Sequence, residues 1–319
     1  MVRAKVRVMH YALSTENTYC WWTGKYYDHC LKVPRSFTHE RKMESFLTEL
    51  ALHRNVAAKT QNQAFNALIY LYREVLGIEL GDVNALRAKK PAYQRTSPSR
   101  DQIRQFFAAV EDRPNTPAKL LVALLYGCGL RVSEPLELRV KDVLWDAGPH
   151  GTLMVRGAKG GKDRRVPIPV ACVEPLRQQV AKARGMWEAD RFNSPEVGVT
   201  LPHALDRKYP KYQFAWQWFW VFPAAGHCDE PRTGRRVHYH LLHDSLQRAA
   251  QAAAIKVELQ GLITPHVLRH AYATHSRESL DALRELLGHS SIETTAGYLH
   301  PVVDKATNPL DDLGLSMTG

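Results

Sequence analysis

The stretch Thr264-Pro265-His266-Val267-Leu268-Arg269-His270 carries the signals that decide the fold and chemistry of this sequence. Threonine is a favoured N-cap and proline is favoured at the first helical position, so the stretch predicts a helix that starts at Pro265. His266 and Arg269 are then at i and i+3 and project from one side of the first turn. The unpaired N–H groups of a helix start attract anions, which favours a phosphate site. Taken alone, these residues fit a capped helix with a surface histidine and arginine slightly better.

A second arginine, Arg131, follows two glycines, Gly127 and Gly129. Glycine lets the backbone turn sharply and approach a ligand closely. The segment therefore predicts either a turn that presents Arg131 to a ligand or a plain helix–helix turn with a solvated arginine, and the residues do not separate the two.

Two lysines, Lys159 and Lys162, lie in a glycine-rich segment between the short strands predicted at 153–156 and 164–168. The glycines indicate a hairpin, from which a lysine can reach a phosphate. The segment matches neither a P-loop nor a dinucleotide-binding motif. Gly288-His289 and Tyr298 complete the set, although a tyrosine near the end of a helix is most often a packing residue.

The composition is that of an ordinary globular protein, and its charge favours an anionic partner. The 319 residues are 45% hydrophobic and 24% charged, and 43 Lys and Arg against 32 Asp and Glu give a net charge of +11. Nucleic acid is the commonest partner of such a chain, although a merely basic protein has the same charge. No apolar run is long enough for a membrane span, and the basic N-terminus lacks a secretory signal. Because the five cysteines lack metal or disulfide spacing, we expect a cytoplasmic protein without a membrane partner.

The helical periodicity divides the chain into two regions. Apolar residues recur at helical spacing from Met43 and again from Phe65 until Gly77. A basic, proline-containing segment without periodicity follows and indicates a linker. We expect an N-terminal helical domain at 1–90, a linker at 91–100 and a second domain at 101–319. Polar residues that could touch phosphate cluster where the third helix begins, although a solvated helix start fits equally well: Lys59, Gln61 and Asn62.

The motifs in this order resemble the tyrosine recombinase (phage integrase) family over nearly the whole chain. The resemblance rests on Gly129-Leu130-Arg131-Val132-Ser133-Glu134, the Lys159 hairpin, His266-x-x-Arg269-His270, Leu287-Gly288-His289 and Tyr298. It implies a mainly α fold with a small β-sheet (α+β). An N-terminal SAM-like helical bundle and a catalytic domain would form a C-shaped clamp on DNA, with four protomers in the synapse.

The resemblance also implies catalytic roles. Arg131 and Arg269 would bind the non-bridging oxygens of the scissile phosphate, and His266 and His289 would add hydrogen bonds. Tyr298 would attack the phosphorus and form a 3′-phosphotyrosine. Lys159 would protonate the leaving 5′ oxygen as the general acid, while Lys162 would contact DNA. No cofactor and no metal would be needed.

A narrower resemblance is to the integron integrases. It rests on Lys59-Thr60-Gln61-Asn62-Gln63-Ala64 and on an insertion at about 193–236 that contains Leu201-Pro202-His203-Ala204-Leu205-Asp206-Arg207-Lys208-Tyr209-Pro210 and Trp216-Gln217-Trp218. In that family the insertion holds bases that bulge from a folded single-stranded cassette site. Trp216 and Trp218 would stack on such bases, and His240 is a candidate base contact, whereas a small satellite core accounts for the same aromatic residues.

Some positions depart from the family pattern, and other functions remain open. Ala158 replaces the usual glycine before Lys159, Pro135 follows Glu134, and the connection from Arg269 to His289 is shortened. Three alternatives stand: a tyrosine recombinase acting on double-stranded sites, a DNA-binding protein of this fold that does not cleave, and a topoisomerase with the same nucleophile. A metal-dependent nuclease using the histidines is disfavoured, because they lie on separate elements without a carboxylate at ligand spacing.

Overall fold

The computed structural model describes residues 1–54, 56–86, 97–157, 163–202, 205–276 and 278–288. The chain divides into two compact units, Met1–Arg95 and Thr96–Gly319, and each unit has its own hydrophobic core. Helices dominate the described residues, and the strands form small antiparallel sheets. The mainly α fold with a small β-sheet is confirmed.

The first unit is an assembly of helices around aromatic and aliphatic side chains. Its elements are α1 (Val2–Val8), α2 (Leu13–Cys30), α3 (His39–Leu52) and α4 (Ala58–Tyr70), with a π-helical extension at Leu71–Leu76. The residues at the predicted spacing, among them Met43, Phe46 and Leu68, are buried. The extension ends as predicted at Gly77, whose φ of +66° is the left-handed conformation that glycine adopts easily.

The second unit combines helices with two small sheets. Its helices are α5 (Arg100–Ala109), α6 (Ala118–Gly127), α7 (Ser133–Leu136), α8 (Val170–Asn193), α9 (Leu205–Lys208), α10 (His243–Lys256), α11 (Pro265–His275) and α12 (Leu280–Leu287), with 3-10 turns at Val140–Asp142, Pro210–Phe214 and Trp216–Trp218. Its strands are β1 (Val143–Leu144), β2 (Thr152–Val155), β3 (Arg164–Pro167), β4 (Pro223–Asp229) and β5 (Arg236–His240).

The predicted hairpin between 153 and 168 is confirmed by the pairing of its strands. β2 and β3 are antiparallel, with Val155 opposite Arg164, and β1 pairs with the other edge of β2. The segment 193–236 contains β4 and the start of β5. Pro223–Asp229 has no alternation of apolar and polar residues, so the sequence did not indicate this strand, which is set by its partner β5.

The main core of the second unit is continuous from α5 and α6 to α10 and α11, and includes Phe106, Leu121, Leu125, Phe222 and Leu268. A satellite core lies beside it, where Phe219 and Trp220 pack with Ala183 of α8 and Val199. Part of the aromatic run is therefore structural.

Candidate active site

The start of α11 has the geometry that its sequence predicts. Thr264 is the N-cap, its Oγ1 accepting a hydrogen bond from the N–H of Val267 at 3.3 Å, and Pro265 occupies the first turn. His266 is exposed, whereas Arg269, one turn later, is buried. The ring of His266 lies edge-on to that of His270, with 5.0 Å between centroids.

Arg269 is held by two backbone carbonyl groups. Its Nη1 donates to the carbonyl oxygen of Gly129 and its Nη2 to that of Leu287, both at 2.6 Å. Gly129 has a φ of +60°, and a Cβ there would clash with the ring of Tyr272. Glycine is therefore required at the position that presents a carbonyl group to Arg269.

Arg131 and Glu134 are paired at the start of α7. The carboxylate of Glu134 accepts from the backbone N–H of Arg131 at 2.7 Å and from its Nη1 at 2.8 Å. Nη2 of Arg131 lies 3.5 Å from the carbonyl oxygen of Gly288. The side chain of Arg131 is 27% exposed, so part of its guanidinium faces solvent. Pro135 lies in the first turn of α7, where a missing N–H costs no helical hydrogen bond.

Arg164 is a third arginine at this site, and sequence reasoning missed it. Its Nη1 and Nη2 donate to the two oxygens of Glu134 at 2.9 and 2.6 Å, and its Nε donates to the carbonyl oxygen of Leu286 at 2.8 Å. The residue alternates in phase with Val166 on the buried face of β3. An arginine in phase with buried valine on a predicted strand was the available signal.

Glu134 is the carboxylate around which these arginines gather. Its side chain is 8% exposed, and Arg269 Nη1 lies 3.9 Å from Oε2. Burial alone raises the pKa of Glu134, but hydrogen bonds and charge from Arg164 and Arg131 outweigh it and lower that pKa below its usual value. The carboxylate is therefore ionised, and it balances one of the three guanidinium charges beside it.

The same arginines converge on the last carbonyl groups of α12. The carbonyl oxygens of Leu286, Leu287 and Gly288 face Arg164, Arg269 and Arg131 respectively. The C-terminal end of a helix carries partial negative charge, so cations there are stabilised. Gly288 closes α12 in the left-handed conformation, with a φ of +64°.

The remaining predicted catalytic residues lie outside the described residues: Lys159, His289 and Tyr298. The predicted DNA contact Lys162 also lies outside them. The described end of the hairpin that carries the lysines is tied by Gly157, whose N–H donates to Asp163 Oδ1 at 3.0 Å.

The predicted DNA contacts of the first unit are split between surface and core. Lys59 and Asn62 are exposed beside a polar groove of about 650 Å³ between the starts of α2 and α4. Gln61 is 2% exposed, and its amide donates to the carbonyl oxygens of Leu47 and Leu86 at 2.9 and 2.6 Å. The described contacts of Gln61 thus lie in the interior of this unit.

Trp216 and Trp218, both half-buried, have different surroundings. Trp216 stacks on Phe219, with 6.2 Å between ring centroids, at the edge of the satellite core. Trp218 belongs to a stack with Tyr212 and Tyr209, whose centroids follow at 5.9 and 5.0 Å. Tyr209 and Tyr212 are 41% and 42% exposed, so the stack reaches solvent.

Two cationic side chains contact the ring of Trp218. Lys141 Nζ lies 2.9 Å from the ring centroid, and Arg139 packs between Trp218 and Trp220. Burial lowers the pKa of Lys141 to about 8 and that of Arg139 to about 10.

His240 is 8% exposed; its Nδ1 donates to the Leu241 carbonyl oxygen at 2.8 Å, and its ring contacts Trp220. The candidate base contact His240 is thus packed in the interior.

Comparison with known proteins assigns the family. The model of the phage integrase family matches residues 99–304, and that of the phage integrase N-terminal SAM-like domain matches residues 1–82. The chain is 36% identical over 306 residues to proteins named integrase/recombinase from Escherichia coli and Pseudomonas aeruginosa, covering 94% of this chain and 88% of each relative. The chain belongs to the phage integrase family. Members of this tyrosine recombinase family are site-specific DNA recombinases, and the chain is an enzyme of that class.

Solved structures agree with this integrase fold. The Tn1549 transposon integrase in complex with transposon right end DNA superposes with a TM-score of 0.63 at 15% identity, covering 98% of each chain.

In the described part of the integrase no helix combines the length and apolar character that crossing a bilayer requires. One group of described residues has the composition of a metal site, namely Asp190, His227 and His238.

Proposed function

We propose that this recombinase cleaves and rejoins DNA through a 3′-phosphotyrosyl intermediate on Tyr298, and that it is an integron integrase. Its substrates are gene-cassette recombination sites, including folded single-stranded ones. The observation that carries the catalytic part is the gathering of three arginines around one carboxylate, which leaves net positive charge where a phosphate diester would bind.

Arg131 and Arg269 bind the non-bridging oxygens of the scissile phosphate. The planar guanidinium matches phosphate geometry, and negative charge grows on these oxygens in the pentacoordinate transition state. The carbonyl groups of Gly129 and Leu287 support this role, since they fix the Arg269 guanidinium before DNA arrives. Arg164 is a positioning residue that anchors Glu134, which in turn holds Arg131.

The chemical step exchanges one phosphoester for another. The Tyr298 oxygen attacks the phosphorus, its proton passes to a neighbouring base such as His266, and the bond to the 5′ oxygen breaks. Lys159 protonates that leaving oxygen, and His289 adds a hydrogen bond to the phosphate. A phenol with a pKa near 10 is ionised more easily beside the arginine charges. Because the phosphotyrosine conserves the bond energy, rejoining requires neither ATP nor a metal.

DNA binding is shared between the two units. Lys59 and Asn62, on the polar groove of the first unit, contact the phosphate backbone, and Lys162 contacts it from the hairpin. The first unit acts as the core-binding domain, and four protomers assemble on two DNA sites. The likeness of residues 1–82 to the N-terminal SAM-like domain of phage integrases supports this division of labour.

The integron assignment is supported by the aromatic stack of Tyr209, Tyr212 and Trp218. Bases that leave a duplex stack on aromatic faces, and two of these three rings are substantially exposed. The Lys141 ammonium group beside the stack adds positive charge near the backbone of a bulged strand.

The experiment compares two forms of the same cassette site. The full chain is incubated with the folded single strand and with the fully paired duplex, and covalent protein–DNA adducts are resolved on a denaturing gel. We expect more adduct with the folded strand. Adduct with the duplex alone would identify a tyrosine recombinase of double-stranded sites, and binding to both without adduct would identify a protein that does not cleave.

A further inference from the structure

Asp190, His227 and His238 form a cluster that the recombination chemistry does not use. Asp190 lies near the end of α8, His227 on β4 and His238 on β5. One ligand atom of each residue lies within 4.8 Å of those of the other two. Asp190 lies 37 residues before His227, and the packing of α8 against the β4–β5 hairpin brings it to the two histidines.

The strand register aims both imidazoles at the same carboxylate. His227 and His238 are opposite each other in the antiparallel pair, so their side chains lie on one face, with ring centroids 5.2 Å apart. Asp190 reaches them from α8, with Oδ1 at 2.8 Å from His227 Nε2 and Oδ2 at 2.6 Å from His238 Nδ1.

The second ring nitrogen of His238 fixes its tautomer. Nε2 lies 2.9 Å from the carbonyl oxygen of Ala224, which can only accept, so Nε2 carries the hydrogen. In a neutral ring, Nδ1 then directs a lone pair at the Asp190 carboxylate. Two electron-rich atoms at this distance repel each other unless a proton or a metal cation lies between them. A histidine that ligates a metal through one nitrogen and donates to a backbone carbonyl with the other has this arrangement.

The three side chains are largely shielded from water, which favours coordination of an ion by them. His238 is 3% exposed, the Asp190 side chain 11% and the His227 side chain 21%. Two imidazoles and one carboxylate are a ligand set that suits Zn²⁺ among the divalent ions of the first transition row. Bonds of about 2.0–2.2 Å require the ligand atoms to spread slightly, which small side-chain rotations allow.

We propose that Asp190, His227 and His238 bind one Zn²⁺ ion, with water in the fourth position, and that this ion fastens the β4–β5 hairpin to α8. The hairpin needs such a fastening because its strands are short and β4 is largely exposed. The fastened strand also supports the satellite core, since the backbone carbonyl of His238 accepts the indole N–H of Trp220 at 3.0 Å. The site is structural and independent of the proposed strand cleavage.

The test measures Zn²⁺ binding by the full chain after chelator treatment and dialysis. Isothermal titration should give one Zn²⁺ per chain for the wild type. His227→Ala removes the most exposed ligand with the least risk to folding, and it should weaken binding at least tenfold. His243→Ala is the matched control, because His243 is exposed at the start of α10 and should leave binding unchanged. Circular dichroism confirms that each variant is folded.

Co²⁺ binding provides a second readout that does not depend on variants. Co²⁺ in the proposed site should give visible d–d bands without the thiolate charge-transfer band that cysteine ligands produce.

Thermal unfolding is a third readout. The melting temperature of the wild type and of the control should rise with Zn²⁺, whereas that of His227→Ala should not. Folded wild type that binds no Zn²⁺, equal binding by His227→Ala, or a thiolate band would each overturn the proposal.

Discussion

Arg269 donates a 2.6 Å hydrogen bond to the carbonyl oxygen of Leu287, the last residue of α12. This bond ties the start of α11, where the His-x-x-Arg motif begins, to the residue pair that leads directly into His289. Two motifs that are separate in the sequence are therefore held in register by one guanidinium group, whose other terminal nitrogen is bound to Gly129.

Replacing the proposed nucleophile should separate cleavage from binding. Tyr298→Phe removes only the attacking oxygen, so we expect no covalent adduct on a denaturing gel and unchanged affinity in a mobility-shift assay. Tyr272→Phe is the matched control, because Tyr272 lies at the same site beside Gly129 and should retain adduct formation. Adduct with Tyr298→Phe but not with Tyr272→Phe would transfer the nucleophilic role to Tyr272.

Loss of Lys159 and loss of Lys162 should have different effects, and a substrate with a better leaving group should rescue only one of the two variants. A general acid contributes roughly two to four decades of rate, so Lys159→Ala should stall cleavage at saturating DNA. Lys162→Ala should mainly weaken binding and reduce its salt dependence. A 5′-phosphorothiolate at the scissile position supplies a leaving group that needs no proton, and single-turnover assays should show rescue of Lys159→Ala alone. Rescue of Lys162→Ala instead would exchange the two roles.

Glu134→Gln should destabilise the second unit and abolish cleavage. Removing one partner of a buried ion pair costs about 3–5 kcal/mol, and Arg164 and Glu134 have side chains that are 6% and 8% exposed. The control Glu188→Gln breaks an exposed pair with Arg184 and should cost about 0.3–0.5 kcal/mol. Denaturant unfolding measures both values, and similar losses for the two variants would show that the arginine cluster does not depend on Glu134.

The stability difference between the wild type and Glu134→Gln should depend on pH in a defined direction. The folded-state pKa of Glu134 is lowered, so its stabilising contribution is complete above the pKa of the unfolded chain, about 4.3, and is lost as pH falls through the folded value. The difference in free energy of unfolding between wild type and Glu134→Gln should therefore be constant near neutrality and shrink below about pH 4. A difference that grew on acidification would contradict the lowered pKa.

Gly129→Ala should lower both stability and activity. An added Cβ would be strained at a φ of +60°, would clash with Tyr272 and would lie 2.8 Å from Leu287 Cδ2. We expect a loss of about 1–3 kcal/mol from strain and overpacking. Gly185→Ala is the matched control, since Gly185 lies within α8 with open space around it and should gain about 0.5–1 kcal/mol. Thermal unfolding should thus shift in opposite directions for the two variants.

Tyr212→Ala should reduce binding to folded cassette strands selectively. Base stacking on an aromatic ring is worth about 1–3 kcal/mol, so affinity for a strand with bulged bases should fall roughly ten- to hundredfold, with little change for the duplex. Phe192→Ala is the control, because Phe192 is 87% exposed and lies outside the stack. Equal weakening for both DNA forms would show that Tyr212 contacts the backbone and not extrahelical bases.

Sequence reasoning was most successful where local physics decides the structure. The cap at Thr264, the proline after it and the helix end at Gly77 depend on their immediate neighbours, and each was predicted correctly. The antiparallel pairing of the two predicted strands at 153–156 and 164–168 was also correct.

The contacts that polar side chains make inside the fold were not indicated by the sequence. Gln61 donates to the backbone carbonyl groups of Leu47 and Leu86, and His240 is buried against Trp220, although both residue types are common at surfaces. Arg164 was overlooked because its acceptor, Glu134, lies on another element. The Asp190 cluster was overlooked for the same reason, since no spacing rule connects α8 to the β4–β5 register.

The end of α12 makes assembly of this site a cooperative event. Three consecutive carbonyl groups are bound by three guanidinium groups that come from α11, β3 and the residues before α7. A shift of α12 by a single residue, about 1.5 Å along its axis, would break all three hydrogen bonds together. These three contacts should therefore form and break together.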